Sequence, residues 1–202
     1  NLSDVNLRNK DLTGTNLSDV DLSNMDLTGT ILTAANLLRA NLDGVDLRNK
    51  DLTGTNLARS DLSRVNLDGV DLRYQNLDSV NLNGVDLRNK DLTGTNLSKV
   101  NLSNMDLTGT ILAAANLSRA NLDGVDLRNK DLTETNLSDV DLSNMDLTGT
   151  ILTTTNLLRA NLDGVDLRYK DLAGTNLSKV NLSNMDLTGT ILSKVNLSNM
   201  DL

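Results

Sequence analysis

Residues 86–110 read DLRNK DLTGT NLSKV NLSNM DLTGT, five blocks of five with leucine second in each. The same frame extends in both directions. Leucine stands at every fifth position from Leu2 to Leu202, 41 times without a gap. Asn or Asp precedes it everywhere except at Ile31, Ile111, Ile151 and Ile191. The fifth residue of a block, two before the next leucine, is mostly small or aliphatic: 13 Val, 10 Thr, five Ala and five Met. All 13 glycines fall two residues after a block leucine, from Gly14 to Gly189, where the chain needs a residue tolerant of turn geometry.

A period of five matches neither the 3.6 of an amphipathic helix nor the 2 of a half-buried flat strand. Hexapeptide β-helices need six, and leucine-rich repeats need 20–29 with unequal leucine spacing. A chain that turns a corner every five residues brings residue n beside n+20 after four corners. Layers then stack at the β spacing of about 4.8 Å. A longer rhythm supports a twenty-residue coil: DLRNK or DLRYK begins at Asp46, Asp86, Asp126 and Asp166, and NLRNK at Asn6, all 40 apart. DLRYQ at Asp71 breaks this rhythm where an Ile-led block is expected.

Composition narrows the function. There is no His, the usual neutral-pH base and commonest metal ligand, and no Cys for disulfides, thiolates or zinc sites. No apolar run approaches the eighteen residues of a membrane span, and nothing resembles a signal peptide. A net charge of −8 disfavours direct nucleic-acid binding, which needs bases to neutralise phosphates. No insertion exceeds the repeat, so no loop is present to carry an active site. These features point away from an enzyme, and they imply no catalytic residue, cofactor or metal.

Blocks such as NLSDV, DLTGT and NLDGV resemble the A(D/N)LXX type of the pentapeptide-repeat family over the whole chain. The resemblance implies an all-β, right-handed quadrilateral β-helix, about ten coils of four pentapeptides each, as a single domain over 1–202. It also implies that each leucine and the residue two before it point inward. The repeat starts and stops in mid-pattern at Asn1 and Leu202. Uncapped solenoid ends expose apolar interior, so a fragment, or a rod whose ends stack or dimerise, is expected.

Lys10, Lys50, Lys90, Lys130 and Lys170 fall in the second inward row, 40 apart. They read either as a column of buried charge or, preferably, as stems that snorkel at the corner, with the following Asp as counter-charge. Met25, Met105, Met145 and Met185 read as volume-matching core.

Sorting blocks modulo twenty gives four columns with unequal charge. Those of Leu2, Leu7, Leu12 and Leu17 carry −7, −4, 0 and +3, with the five lysines counted on the third. The candidate interaction surface is acidic. It comprises Asp21, Asp43, Asp61, Asp123, Asp141 and Asp163 beside Leu2, and Asp26, Asp46, Asp86, Asp106, Asp126, Asp146, Asp166 and Asp186 beside Leu7. Such a surface would steer a basic partner. The Leu17 column has Asn before every leucine, Asn16 to Asn196, and carries Arg39, Arg59, Lys99, Arg119, Arg159 and Lys179. Stacked Asn side chains can bond one another, whereas stacked Asp would repel.

The expected role is a non-enzymatic structural or protein-interaction solenoid, cytoplasmic and bacterial, with a protein partner. The family resemblance supplies an alternative: quinolone-resistance proteins and their mycobacterial relatives are rods that mimic DNA and bind type II topoisomerases. Those proteins are rich in central Phe and often carry loops; this chain has only Leu and none. A minor alternative, ice binding, rests on outward Thr13, Thr33, Thr53, Thr93, Thr133 and Thr153, an array interrupted by Arg73, Ala113 and Ala173.

Overall fold

The computed structural model describes residues 5–199, and in that span every pentapeptide turns. From Asn9 to Asn199 the fourth residue of each block has positive φ, between 55° and 65° where it is not glycine. From Leu7 to Leu192 the N–H of the fifth residue donates to the leucine carbonyl three positions back, as Thr95 to Leu92 at 3.0 Å. One positive φ in the second half of the turn, together with that bond, defines a type II turn. Asn and Gly fill many of these positions because they accept left-handed backbone most readily.

Between turns the chain is extended and pairs with itself in parallel. The bridges join residues twenty apart, among them Asn96 to Asn116 and Asp131 to Ile151. Leu97 donates to Asn116 O at 2.7 Å while Asn116 donates to Thr95 O at 2.9 Å, so each step is held from both sides. The result is an all-β solenoid. Its interior is the leucine rows: every block leucine from Leu17 to Leu182 is buried, each contributing about 1.5–3 kcal/mol of transfer free energy. Leu197 is 43% exposed near one extremity, as is Val5 near the other. Asn1 and Leu202, on which the expectation about uncapped ends falls, lie outside the described residues.

The fifth-position row closes the core. Valines and alanines pack against leucine, and Met25, Met105, Met145 and Met185 are half-buried against the same cluster. From Thr30 to Thr190 the polar members of this row act as donors. Thr55, Thr95, Thr135, Thr155 and Thr175 send their hydroxyls to the leucine carbonyl 23 residues earlier, with Thr95 Oγ1 2.7 Å from Leu72 O. No buried side-chain polar atom among the described residues lacks a partner, as a close-packed interior requires.

The 40-residue rhythm has a steric origin. In the column beside Leu7 the fourth positions alternate Asn9, Gly29, Asn49, Gly69, Asn89, Gly109, Asn129, Gly149. Each Asn side chain lies across the glycine of the next layer. At Gly109 (φ +69°) a Cβ would fall 2.0 Å from Asn89 Oδ1. Two consecutive layers cannot both carry a side chain folded this way, so the repeat unit along this column is two layers.

Candidate functional site

Side chains twenty residues apart stack in columns along the outer surface, and the columns differ in how they are bonded. Beside Leu17, backbone bridges run at every step from Asn16 to Asn196. The side chains repeat the ladder: Asn116 Nδ2 donates to Asn96 Oδ1 at 2.9 Å, Asn136 to Asn116 at 3.0 Å and Asn156 to Asn136 at 3.0 Å. The same oxygens also accept the N–H two residues on, as Ser118 N to Asn116 Oδ1 at 3.1 Å. The expected bonding between stacked Asn is therefore present.

Beside Leu7, Asp stacks on Asp from Asp86 to Asp186, and Asp46↔Asn66 is the only bridge in this column among the described residues. An ionised carboxylate has no hydrogen to pass on, so it cannot build a ladder and must be satisfied within its own block. Two local devices alternate. Arg48, Arg88, Arg128 and Arg168 each fork onto the Asp two residues earlier, with Arg88 Nη2 2.6 Å and Nε 2.9 Å from Asp86 oxygens. In the intervening layers Thr108, Thr148 and Thr188 give both N–H and hydroxyl to Asp106, Asp146 and Asp186. Asp86, Asp126 and Asp166 are thereby held at about 2, chiefly by their arginine bonds and then by the backbone N–H. Asp106, Asp146 and Asp186 are lowered mainly by their threonine hydroxyls.

The fourteen sequence-predicted acidic residues thus fall into unlike groups. Asp26, Asp43, Asp46, Asp86, Asp126 and Asp166 are ion-paired with arginine. Asp106, Asp146 and Asp186 are tied to threonine. Asp21, Asp61 and Asp141 accept from the serine two residues on, and Asp61 and Asp141 also from Asn81 and Asn161. Among the described residues, the carboxylates of Asp123 and Asp163 accept no hydrogen bond, and both residues are exposed. They are the freest charges of the set. Basic residues beside Leu17 are also partly neutralised: Asp139 sits between Arg119 and Arg159, and Asp78 between Arg59 and Lys99.

The lysine column meets expectation only in part. Lys10 is exposed and Lys50, Lys90, Lys130 and Lys170 are half-buried, but these four bond backbone carbonyls rather than the Asp that follows, with Asp68 3.6 Å from Lys90 Nζ. Lys50 Nζ donates to Leu27 O at 2.6 Å and Thr30 O at 2.9 Å, and Lys130 Nζ to Leu107 O at 2.5 Å and Thr110 O at 3.2 Å. Lys90 reaches Leu67 O at 2.8 Å, and Lys170 reaches Leu147 O. The physical reason is the second lone pair on each leucine carbonyl, of which the turn uses only one. Thr30, Thr110 and Thr150 fill the same role in the alternate layers of this column. Burial pushes the Lys50 and Lys130 ammonium groups down, opposed by Asp46 and Asp26 and by Asp126 and Asp106 respectively. Sequence held the clue: every polar residue in this row is Thr, Ser, Lys or Gln, each able to donate.

Several outward threonines are equally committed. Thr13 and Thr93 turn their hydroxyls onto Asp11 and Asp91 at 2.6 and 2.5 Å, which removes them from an open hydroxyl array. Among the described residues no three carboxylates converge as metal ligands would, and no helix is long and apolar enough to cross a membrane.

Sequence profiles agree with this architecture. The profile of pentapeptide repeats matches residues 76–112, 115–153, 155–193 and 171–202, and that of the pentapeptide repeat region matches 1–77. The chain belongs to the pentapeptide-repeat family. No curated protein sequence matches it. Among solved structures it is similar to HetL, a pentapeptide repeat protein involved in heterocyst differentiation regulation from the cyanobacterium Nostoc sp. strain PCC 7120. The identity there is 30% and the TM-score 0.49, covering 96% of this chain and 85% of that one. Full-length QnrB1, a plasmid-mediated fluoroquinolone resistance protein, shares 18% identity at TM-score 0.42, covering 94% and 91%. A pentapeptide repeat protein from the Arabidopsis thaliana thylakoid lumen shares 26% at TM-score 0.23, covering 66% and 72%.

Proposed function

We propose that the chain is a non-catalytic scaffold, a right-handed four-sided rod of about ten coils that engages a protein partner through its acidic columns. The twenty-residue bridge spacing with a turn after every leucine supports the four-sided shape. The observation that carries the functional reading is the commitment of the surface groups. Twelve of the fourteen acidic carboxylates are already hydrogen-bonded or ion-paired, as are threonine hydroxyls such as those of Thr108 and Thr148, which leaves a surface offering charge and shape.

Mimicry of DNA is the weaker reading on charge density. Duplex DNA carries about three charges in the roughly 4.8 Å of one layer. This chain carries less than one net charge per twenty residues. The test compares the wild-type chain with an Asp123→Asn/Asp163→Asn variant, whose changes touch only unbonded carboxylates. Each is used as bait for bound proteins, and each is titrated into a gyrase supercoiling assay. Partners held by the wild type and lost from the variant, with supercoiling unaffected, support the scaffold reading. Identical partners on both baits, or supercoiling inhibited by the wild type alone, overturn it.

A further inference from the structure

The chain has two aromatic side chains, Tyr74 and Tyr169, exposed at 77% and 78%. Both stand in the sequence Asp-Leu-Arg-Tyr, and in both the arginine forks onto the aspartate, Nη2 to Oδ2 at 2.7 Å. Each ring is backed by a glycine of the next layer. A Cβ on Gly94 would lie 2.4 Å from Tyr74 Cδ1 and 2.5 Å from Cε1. The backing fixes the ring without covering its outer side, which lowers the ordering cost of binding against it.

Tyr74 differs from Tyr169 in its setting. Block 71–75 breaks the 40-residue rhythm: DLRYQ replaces the ILTAA, ILAAA and ILTTT of residues 31–35, 111–115 and 151–155. One block thus exchanges an exposed isoleucine and small residues for a carboxylate, a guanidinium, a phenol and an amide. The core does not demand this, since the Ile-led blocks at 31, 111 and 151 close it with Ala or Thr and that at 191 with Val. Over the break lies a groove of about 790 Å³, lined by Lys50, Asp51, Asp71, Arg73, Tyr74 and Gln75 among others. Its charges cancel, and Gln75 is pinned by Nε2 to Leu52 O at 3.0 Å.

We propose that this groove binds a neutral oligosaccharide, with a pyranose ring stacked on Tyr74 and its hydroxyls bonded to the edges of the Asp71–Arg73 pair. The chemistry selects this class. A phosphorylated ligand gains nothing from a groove of zero net charge on a protein of −8, with Arg73 already paired. A basic peptide meets Lys50 and Arg73. An apolar ligand would desolvate Lys50, Asp51, Asp71 and Arg73 and return no hydrogen bond. A polyhydroxylated ring, apolar on its faces and hydrogen-bonding at its rim, fits an aromatic platform beside planar polar groups.

The two tyrosines are the only strong intrinsic fluorophores, because Trp is absent. Tyr169→Asn leaves Tyr74 as sole reporter, and Tyr74→Ala removes the platform. Both changes copy residues already tolerated at matching positions, Asn89 and Asn129 for the first, Ala34 and Ala114 for the second. The probes are cellohexaose, maltohexaose, laminarihexaose and chitohexaose, each to about 10 mM, with tripolyphosphate as the anionic comparison. Tyrosine emission and saturation-transfer NMR of the sugar are read together. At least one hexasaccharide alters the emission of Tyr169→Asn, and its affinity falls about tenfold in Tyr74→Ala while Tyr169→Asn binds as wild type. The proposal is overturned by no response to any of the four sugars, by undiminished binding in Tyr74→Ala, or by tripolyphosphate binding more tightly than every sugar.

Discussion

The column of asparagines beside Leu17 and the column of aspartates beside Leu7 occupy equivalent places in the repeat, yet they hold the solenoid together differently. Asparagine donates and accepts, so most of its side chains, including every one from Asn96 to Asn176, hand a hydrogen bond to the adjoining layer, and the backbone bridges follow without a break. Aspartate only accepts. Apart from Asp26, which also accepts from Arg8 of the neighbouring layer, its bonds close within the block, on arginine or threonine, and the backbone there is almost unbridged. Cohesion between layers on that side comes from backbone bonds at alternate layers, such as Asn89 N to Thr108 O at 2.9 Å, and from within, through Lys50, Lys90, Lys130 and Lys170 and the threonines between them. One atom's difference in a side chain thus shifts part of the axial bonding from the surface to the interior. The column beside Leu2 shows the intermediate case: Asp21, Asp61 and Asp141 are interspersed among Asn, and Asn161 still donates to Asp141 at 3.0 Å.

The sharpest way to break the comparison is to put two adjacent aspartates in the asparagine column. Asn136→Asp alone loses its donation to Asn116 but still accepts from Asn156, so it costs about 1 kcal/mol, one net hydrogen bond. Asn116→Asp alone costs the same for the same reason. Together they also place two carboxylates about 4.8 Å apart, adding about 1 kcal/mol of repulsion for a total of about 3 kcal/mol. Urea unfolding of the four chains in the double-mutant cycle gives this coupling, and molar salt should shrink it. Strict additivity at low salt would show that repulsion between layers is irrelevant to which column is bridged.

The next largest effect lies inside the aspartate column. Lys130→Met keeps the apolar stem but removes the donor to Leu107 O and Thr110 O. The lost charge-assisted bonds are worth about 1.5–3 kcal/mol, partly offset because a half-buried ammonium no longer has to be desolvated. A net loss of about 1–2 kcal/mol is expected, with faster amide exchange confined to the layers on either side. Val70 occupies the same row without any donor, so the fold tolerates the loss. An unchanged unfolding midpoint would mean the lysines are passengers.

Most of the fold was legible in the repeat. An unbroken leucine period of five, a 40-residue superperiod and glycines at one fixed offset left a twenty-residue coil as the consistent winding, and the bridges between residues twenty apart match it. The Asn row was also readable, because an amide's capacity to ladder is a property of the side chain alone. The partners of the lysines were misassigned to the following Asp, because the spare lone pair on each leucine carbonyl appears only once the turn is built. The acidic surface was legible as charge and not as availability. Nothing in a column count distinguishes Asp86, gripped by Arg88, from Asp123, which accepts no bond; that depends on which way neighbouring side chains fold.

Acid separates the two columns again, with the smallest effect. The asparagine ladder has no group of its own to titrate, whereas Asp86, Asp126 and Asp166 have folded values of about 2 against an ordinary 3.8. A depressed folded pKa means that the stabilisation is fully present above the unfolded value and is lost as pH falls through the folded one. Stability should therefore decline between about pH 4 and pH 2, as the unfolded chain takes up protons first. Arg128→Met removes the fork from Asp126, so the decline becomes shallower, while the cost at neutral pH stays small because the pair is exposed. Urea midpoints measured at close pH intervals over that window give both slopes. Parallel slopes for the two chains would mean that threonine and backbone donors, not the arginine forks, set the acid response of the aspartate column.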